Sequence, residues 1–421
     1  MPPRFPRVPR RARVPLAAVA LVAALDLAFP PPPLPPAGGY GTVVRDRAGR
    51  IARTFANERG VWRLKVRLAD VSGPLVRTVL AAEDRRFRWH PGVDPVAVAR
   101  AAWSNARAGR VVSGASTLTM QVARMLEPRE RTIWSKAKEA VRALQLERRL
   151  SKNEILELYL NLVPYGGNLV GVTAASSAYL EKSPSRLSWG EAALLVAIPK
   201  DPNALRPDRA PAPARRARDR VLRRLAARGV VSPADLETAL REPVAARRAA
   251  FPFSAPHFAE WARSERPGEP DLRTGLDSRL QAVAERLLAD QARSLEDLGV
   301  QNGAVVVLDN ETRTVLALAG SKDYHDAGSG GQVNGALAPR SPGSTLKPFI
   351  YALALDAGLL TPLAALADVP IGYNGYHPSN FDEKYRGIVT MREALRISLN
   401  VPAVTVNARL GARGLYALLD R

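Results

Sequence analysis

The sequence predicts a mainly α-helical domain followed by a mixed α/β (α+β) domain, with one transmembrane helix at the N-terminus. Three observations carry this: helical apolar spacing from Val71 to Leu195, short apolar strands beyond residue 300, and an apolar stretch from Val14 to Phe29 behind a cluster of arginines. With 421 residues and 46% hydrophobic content the chain can build two cores, and no internal repeat is evident. The net charge of +21 favours a polyanion or an anionic membrane surface as partner. The absence of cysteine removes thiolate chemistry, and the presence of only four histidines argues against a His-rich metal site.

Taken in order, Arg4, Arg7, Arg10, Arg11 and Arg13 mark residues 1–13 as a tail retained on the cytoplasmic side. The apolar stretch 14–29 is at the short end of the roughly 17–25 residues that cross a bilayer, and Asp26 sits near its outer end, where a charge costs less. It reads as a signal anchor or, with Val22-Ala23-Ala24 as cleavage site, as a signal peptide; both export the bulk of the chain. Six prolines between Pro30 and Pro36 make residues 30–38 a stiff spacer. The first domain is assigned to 39–245. Within it Ser151-Lys152-Asn153-Glu154 has capping-box spacing and opens a helix over Ile155 to Leu160. The arginine-rich segment from Pro211 to Leu240 reads as one or two solvated helices, with contact to anionic lipid as the sharper alternative. Residues 246–273 are assigned to a linker and 274–421 to the second domain, where apolar runs at Ala304–Leu308 and Thr314–Leu318 flank Asp309-Asn310-Glu311-Thr312 as in a β-hairpin.

Four motifs in the first domain carry chemistry. Glu83-Asp84-Arg85-Arg86-Phe87-Arg88-Trp89-His90-Pro91-Gly92 gathers two acids, an aromatic and a histidine; Gly114-Ala115-Ser116-Thr117-Leu118-Thr119-Met120-Gln121 is rich in hydroxyls. Lys136 and Glu139 follow at i,i+3 on a predicted helix, and Lys152 to Asn161 precedes Gly166-Gly167. Each alone has a bland reading as an exposed glutamate or a helix cap. In this order they resemble the blocks of the family 51 glycosyltransferases over roughly residues 40–245. That resemblance implies a lysozyme-like, mainly α fold that polymerises lipid II. It implies Glu83 as general base on the acceptor 4-hydroxyl, Glu139 as the second glutamate and Lys136 beside the pyrophosphate. Lys138 stands in for an arginine that the family commonly has where Ser135 lies here. Ser116, Thr117, Gln121, Asp84, Phe87, His90 and Asn161 complete the implied substrate-binding set, with His90 packing and hydrogen-bonding rather than titrating. Displacing a polyprenyl pyrophosphate requires a base on one face of the sugar and positive charge at the leaving group, from side chains or from a divalent Mg or Mn ion. No tightly bound cofactor is expected.

In the second domain Ser344-Thr345-Leu346-Lys347 places a serine and a lysine on one helical face, and Ser398-Leu399-Asn400 follows about fifty residues later. With Thr274–Gln281 and Gly387–Leu395, these resemble the penicillin-binding transpeptidases. Ser344 is then implied as the acylated nucleophile, Lys347 as its base, and Ser398 and Asn400 as assisting groups. The two halves together resemble the bifunctional class A penicillin-binding proteins, and Gly60-Val61-Trp62-Arg63 with Pro91-Gly92 points to the 1C branch of that family. No lysine occurs after Lys384, so the Lys-Thr/Ser-Gly strand is missing, the second domain reads as incomplete, and no cross-linking is expected from this chain. The resemblance implies a single-pass protein of the bacterial inner membrane with periplasmic catalytic domains. The nascent glycan strand and membrane lipids would be its partners, penicillin and moenomycin its inhibitors, with cell-wall synthesis proteins beside it. A basic nucleic-acid-binding protein is opposed by the export signal, a glycan hydrolase by Lys136 and the hydroxyl motif, and a binding-only role by the intact glutamates.

Overall fold

The computed structural model describes residues 26, 29–35, 39–110, 114–130, 132–372 and 375–420. They form two compact units divided between Leu337 and Ala338. The tail 1–13 and nearly all of the apolar stretch 14–29 lie outside the described residues. Among the described residues no helix is long and apolar enough to cross a membrane.

In the first unit, strands β1 (Val43–Arg45) and β2 (Ile51–Thr54) form an antiparallel pair. Helices α1 (Gly73–Glu83), α2 (Pro95–Ala108), α3 (Leu118–Leu126), α4 (Ile133–Arg149), α5 (Lys152–Leu162), α6 (Val172–Leu180) and α7 (Trp189–Ala197) follow. The short parallel pair β3 (Trp62–Arg63) and β4 (Leu169–Val170) lies among them. Local chemistry sets the helix starts: Ser72, Asp94, Thr117 and Thr132 each accept a hydrogen bond from an orphan amide of the helix they open. At Ser151 the predicted capping box forms in full, and α5 runs from Lys152 to Leu162. The central helix α7 is buried almost throughout, and α1, α8 (Pro211–Ala226) and α9 (Pro233–Arg241) pack around it.

Helix α8 corrects one expectation. It is not simply solvated: Ala214, Ala217, Val221, Leu222 and Leu225 form a buried stripe at 3.6-residue spacing. Arg218 is buried with them and donates to the carbonyls of Leu240 and Glu242. The number of arginines masks that stripe in the sequence.

The segment assigned to a linker is also structured. Residues 246–273 contain α10 (Pro256–Glu265) and β5 (Asp271–Arg273), and β5 joins the open edge of β1 in parallel. Val44, Phe55, Ala259 and Leu272 bury a small apolar cluster at this junction. The opening of the predicted second domain is tied in as well: Thr274 N donates to Arg45 O, and Ser278 Oγ to Asp46 Oδ2. Helix α11 (Ser278–Ser294) packs on the antiparallel hairpin β6 (Val305–Leu308) and β7 (Val315–Ala319). Compactness therefore changes at 337/338, whereas composition changes near 274.

The proline segment is docked rather than free-standing. The guanidinium of Arg142 on α4 donates to the carbonyls of Phe29 and Pro30, at 3.1 and 2.6 Å. Asp26 accepts from Arg148 and Gln145 of the same helix, which answers the apolar stretch's one acid.

The second unit packs α12 (Lys347–Asp356) against α14 (Asn400–Leu410), with α13 (Met391–Arg396) and the antiparallel pair β8 (Ala365–Asp368) and β9 (Gly387–Thr390) alongside. Its core gathers Ile350, Tyr351, Leu366, Met391, Leu399 and Val406.

Candidate active sites

Glu83 is the last residue of α1, and the chain leaves the helical conformation at Asp84, so the glutamate is presented at a helix end. Asp84 is buried and locks the turn: its Oδ2 accepts from Leu118 N at 3.0 Å and it pairs with His90 Nε2 at 3.0 Å. His90 Nδ1 accepts from Gly92 N, which assigns the ring proton to Nε2 and makes His90 the donor to Asp84. Thr117 Oγ1 accepts from Met120 N as the cap of α3 and donates to Gly92 O. The first two motifs are thereby stitched into one wall. Across it, Gln121 Nε2 donates to Glu83 Oε2 at 3.2 Å.

Two cavities share Glu83 and Ser116. The larger, about 290 Å³, is also lined by Gln121, Arg124, Tyr159 and Lys200. The smaller, about 90 Å³, adds Thr117, Arg85, Arg86 and Arg100. The carboxylate thus stands between a hollow that carries Arg124 and Lys200 and a smaller one in which Asp84 and Asp94 offset the arginines. Burial pushes the Tyr159 hydroxyl well above its ordinary value and the charge of Glu83 adds to this, so the phenol stays a neutral donor.

Lys136, Lys138 and Glu139 all lie in the first two turns of α4, and none of them lines either cavity. Glu139 is 8% exposed with no hydrogen-bond partner among the described residues, while Lys136 and Lys138 are exposed. Two residues of the expected substrate set have other work. Phe87 is 1% exposed, deep in the core, with the Lys152 ammonium over its ring. Asn161 spends its side chain on Val66 N, Val66 O and Glu157 O, stapling β3's exit to α5. Neither lines either cavity.

Among the described residues, one group, Asp84, His90 and Asp94, has ligand atoms close enough together for a cation. Its carboxylates already accept hydrogen bonds, Asp94 from Arg86 and Ala97 N and Asp84 from His90 and Leu118 N. An ion could enter this group only by displacing those hydrogen bonds.

In the second unit, a 3₁₀ turn, Gly343–Leu346, carries Ser344 exposed at its surface and leads into α12. Lys347 is buried, and its Nζ lies 2.5 Å from Ser398 O, 3.1 Å from Ser398 Oγ and 2.6 Å from Asn400 Oδ1. Lys347, Ser398 and Asn400 therefore come together, while Ser344 Oγ makes no hydrogen bond with the amine. Burial lowers the pKa of Lys347. The amine donates to all three oxygens, one N–H to each.

Comparison with known proteins places these two sites in one lineage. Residues 48–226 match the transglycosylase family and residues 303–421 the penicillin-binding protein transpeptidase domain. Penicillin-binding protein 1C of Escherichia coli is 44% identical over 365 residues, 87% of this chain and 47% of its own. This chain belongs to the class A penicillin-binding proteins. Another member, penicillin-binding protein 1F of Bacillus subtilis, is 31% identical over 88% of this chain and 53% of its own. A solved structure of penicillin-binding protein 1A from Haemophilus influenzae aligns with a TM-score of 0.44 at 21% identity, over 88% of this chain and 61% of that one. The chain spans about half the length of the curated penicillin-binding proteins it matches first.

Sequence reasoning missed Arg124, Tyr159 and Lys200 as wall residues of this penicillin-binding protein. Arg124 stands on the cleft helix three residues after Gln121, a spacing that was readable. Lys200, beyond α7, is brought in by tertiary packing alone.

Proposed function

We propose that this protein is a bifunctional peptidoglycan synthase, in which residues 39–245 polymerise lipid II into glycan strands with release of undecaprenyl pyrophosphate. The region from 274 onward would belong to an acyl-transfer domain with Ser344 as its nucleophile, with no cross-linking expected of it here. The observation that carries the first reading is the Glu83 carboxylate, held by Gln121 in a wall shared by two cavities, the larger of which also carries Arg124 and Lys200. In this reading Glu83 takes the proton of the acceptor 4-hydroxyl as that oxygen attacks the anomeric carbon of the donor. Arg124 and Lys200 balance the charge that builds on the departing diphosphate, with the Lys136 ammonium on α4 as a further cation and Glu139 as the second carboxylate of the site. Cations flanking the base favour transfer from a diphosphate donor over hydrolysis of a neutral glycan.

The proposed setting is the periplasmic face of the bacterial inner membrane, with residues 14–29 as a single-pass anchor. The exposed indoles of Trp89, Trp103 and Trp134 support it, since tryptophan is favoured at bilayer interfaces. Moenomycin and penicillin are the expected inhibitors of the two sites.

The test is Glu83→Gln with labelled lipid II in detergent: the variant should fold with the wild-type circular dichroism spectrum and make no polymer. Polymerisation near the wild-type rate would end the base assignment. Moenomycin should abolish the wild-type signal, and release of shortened glycan instead of polymer would select the hydrolase.

A further inference from the structure

Helix α14 begins at Asn400, and its cap residue is Leu399, whose side chain offers no acceptor. The orphan amides at the helix start must find one elsewhere. Asn380, twenty residues back and 4% exposed, supplies it: its Oδ1 accepts from Asn400 N at 2.8 Å and, more weakly, from Val401 N at 3.5 Å. The other end of that side chain is equally fixed, with Nδ2 donating to Asp368 at 2.8 Å and to Lys384 O at 2.8 Å. Asp368 is wholly buried and also accepts from Arg386 N. The neighbouring Ser379 O accepts from Asn400 Nδ2, which turns Asn400 Oδ1 toward Lys347. Asn400 is thus held at its backbone and its side chain by one dipeptide. Ser398, just before it, has φ 56°, a left-handed conformation that a non-glycine residue keeps only where its surroundings enforce it.

We infer that Asn380, anchored on Asp368, is a positioning residue for the acyl-transfer site: as a borrowed helix cap it fixes the Ser398–Asn400 turn that holds Lys347. This rests on the reading of Ser344 and Lys347 as an acyl-transfer pair. Neither Asn380 nor Asp368 touches the reacting atoms. Without Asn380 the first turn of α14 loses its acceptor, Asn400 is released, and water reaches the lysine.

The direct test follows Lys347 itself. The full chain is treated with acetic anhydride across a pH series, and modification of the Lys347 peptide is read by mass spectrometry, using the midpoint of the profile rather than its amplitude. In Asn380→Ala the midpoint should rise by about one pH unit or more, a tenfold loss of free amine at a given pH. The exchange Asp368→Asn with Asn380→Asp keeps an acceptor facing α14 and a donor between the two side chains, and gives up only the donor to Lys384 O. It should return the midpoint to within about 0.3 unit of wild type. A wild-type midpoint in folded Asn380→Ala overturns the inference. If that variant does not fold, Asn380→Asp alone is compared with the exchange: a displaced single variant and a restored double one uphold the inference, and equal midpoints overturn it. Labelling of the wild type by a fluorescent penicillin tests the acyl-transfer reading separately, since the lysine profile is measured whether or not Ser344 is acylated.

Discussion

A carboxylate proposed as a general base needs a fixed direction as well as a negative charge, and Gln121 holds Glu83 through a single hydrogen bond. Gln121→Ala should leave the fold intact and lower lipid II polymerisation by about 10- to 100-fold, read as a fall in turnover with little change in substrate affinity. Lys347 makes a second residue-scale prediction. Its folded pKa is lowered by burial, so between that lowered value and 10.5 the unfolded chain binds more protons than the folded one. Stability of the second unit therefore rises with pH through that window and carries the full cost below it. Lys347→Met should remove this slope, measured as the difference in thermal midpoint between the two proteins across the pH series. At this scale the sequence discloses which residue types gather, because motif spacing is local. It does not disclose that Arg124, Tyr159 and Lys200 converge on Glu83, or that Phe87 and Asn161 turn into the core, because those outcomes depend on how α3, α5 and α7 pack.

Helix ends show the same division. The capping box at Ser151 and Glu154 was legible because both partners lie within four residues, and Ser151→Ala should cost about 1 kcal/mol in chemical denaturation. The cap of α14 was not legible, since its acceptor comes from twenty residues away. Helix α8 separates the two meanings of its arginines. Arg218→Ala should destabilise the protein by about 2–4 kcal/mol, because it strips the carbonyls of Leu240 and Glu242 of their donor inside the core. Arg215→Ala and Arg216→Ala, at exposed positions of the same helix, should stay within about 0.5 kcal/mol of wild type. Denaturant midpoints of the three variants give the comparison. The buried stripe itself was readable in the spacing of Ala214, Ala217, Val221, Leu222 and Leu225 once the charges are set aside.

Across the whole molecule, the sequence signalled a helical first region and a later change to short strands, but not where compactness divides. That division depends on β1 recruiting β5, a pairing of two three-residue strands too short to announce themselves. A fragment ending at residue 245 loses β5 and α10 and bares Val44 and Phe55, whereas one ending at 337 keeps the cluster closed. The shorter fragment should melt at lower temperature and self-associate on size exclusion; equal behaviour of the two would refute this account of the junction. The same pairing joins Val43 to Asp271. At roughly 5–20 residues added per second, the ribosome takes about 10–50 s to deliver the second strand after the first. During that interval the growing chain carries an unfinished sheet edge, which stays open to wrong partners until its late strand arrives.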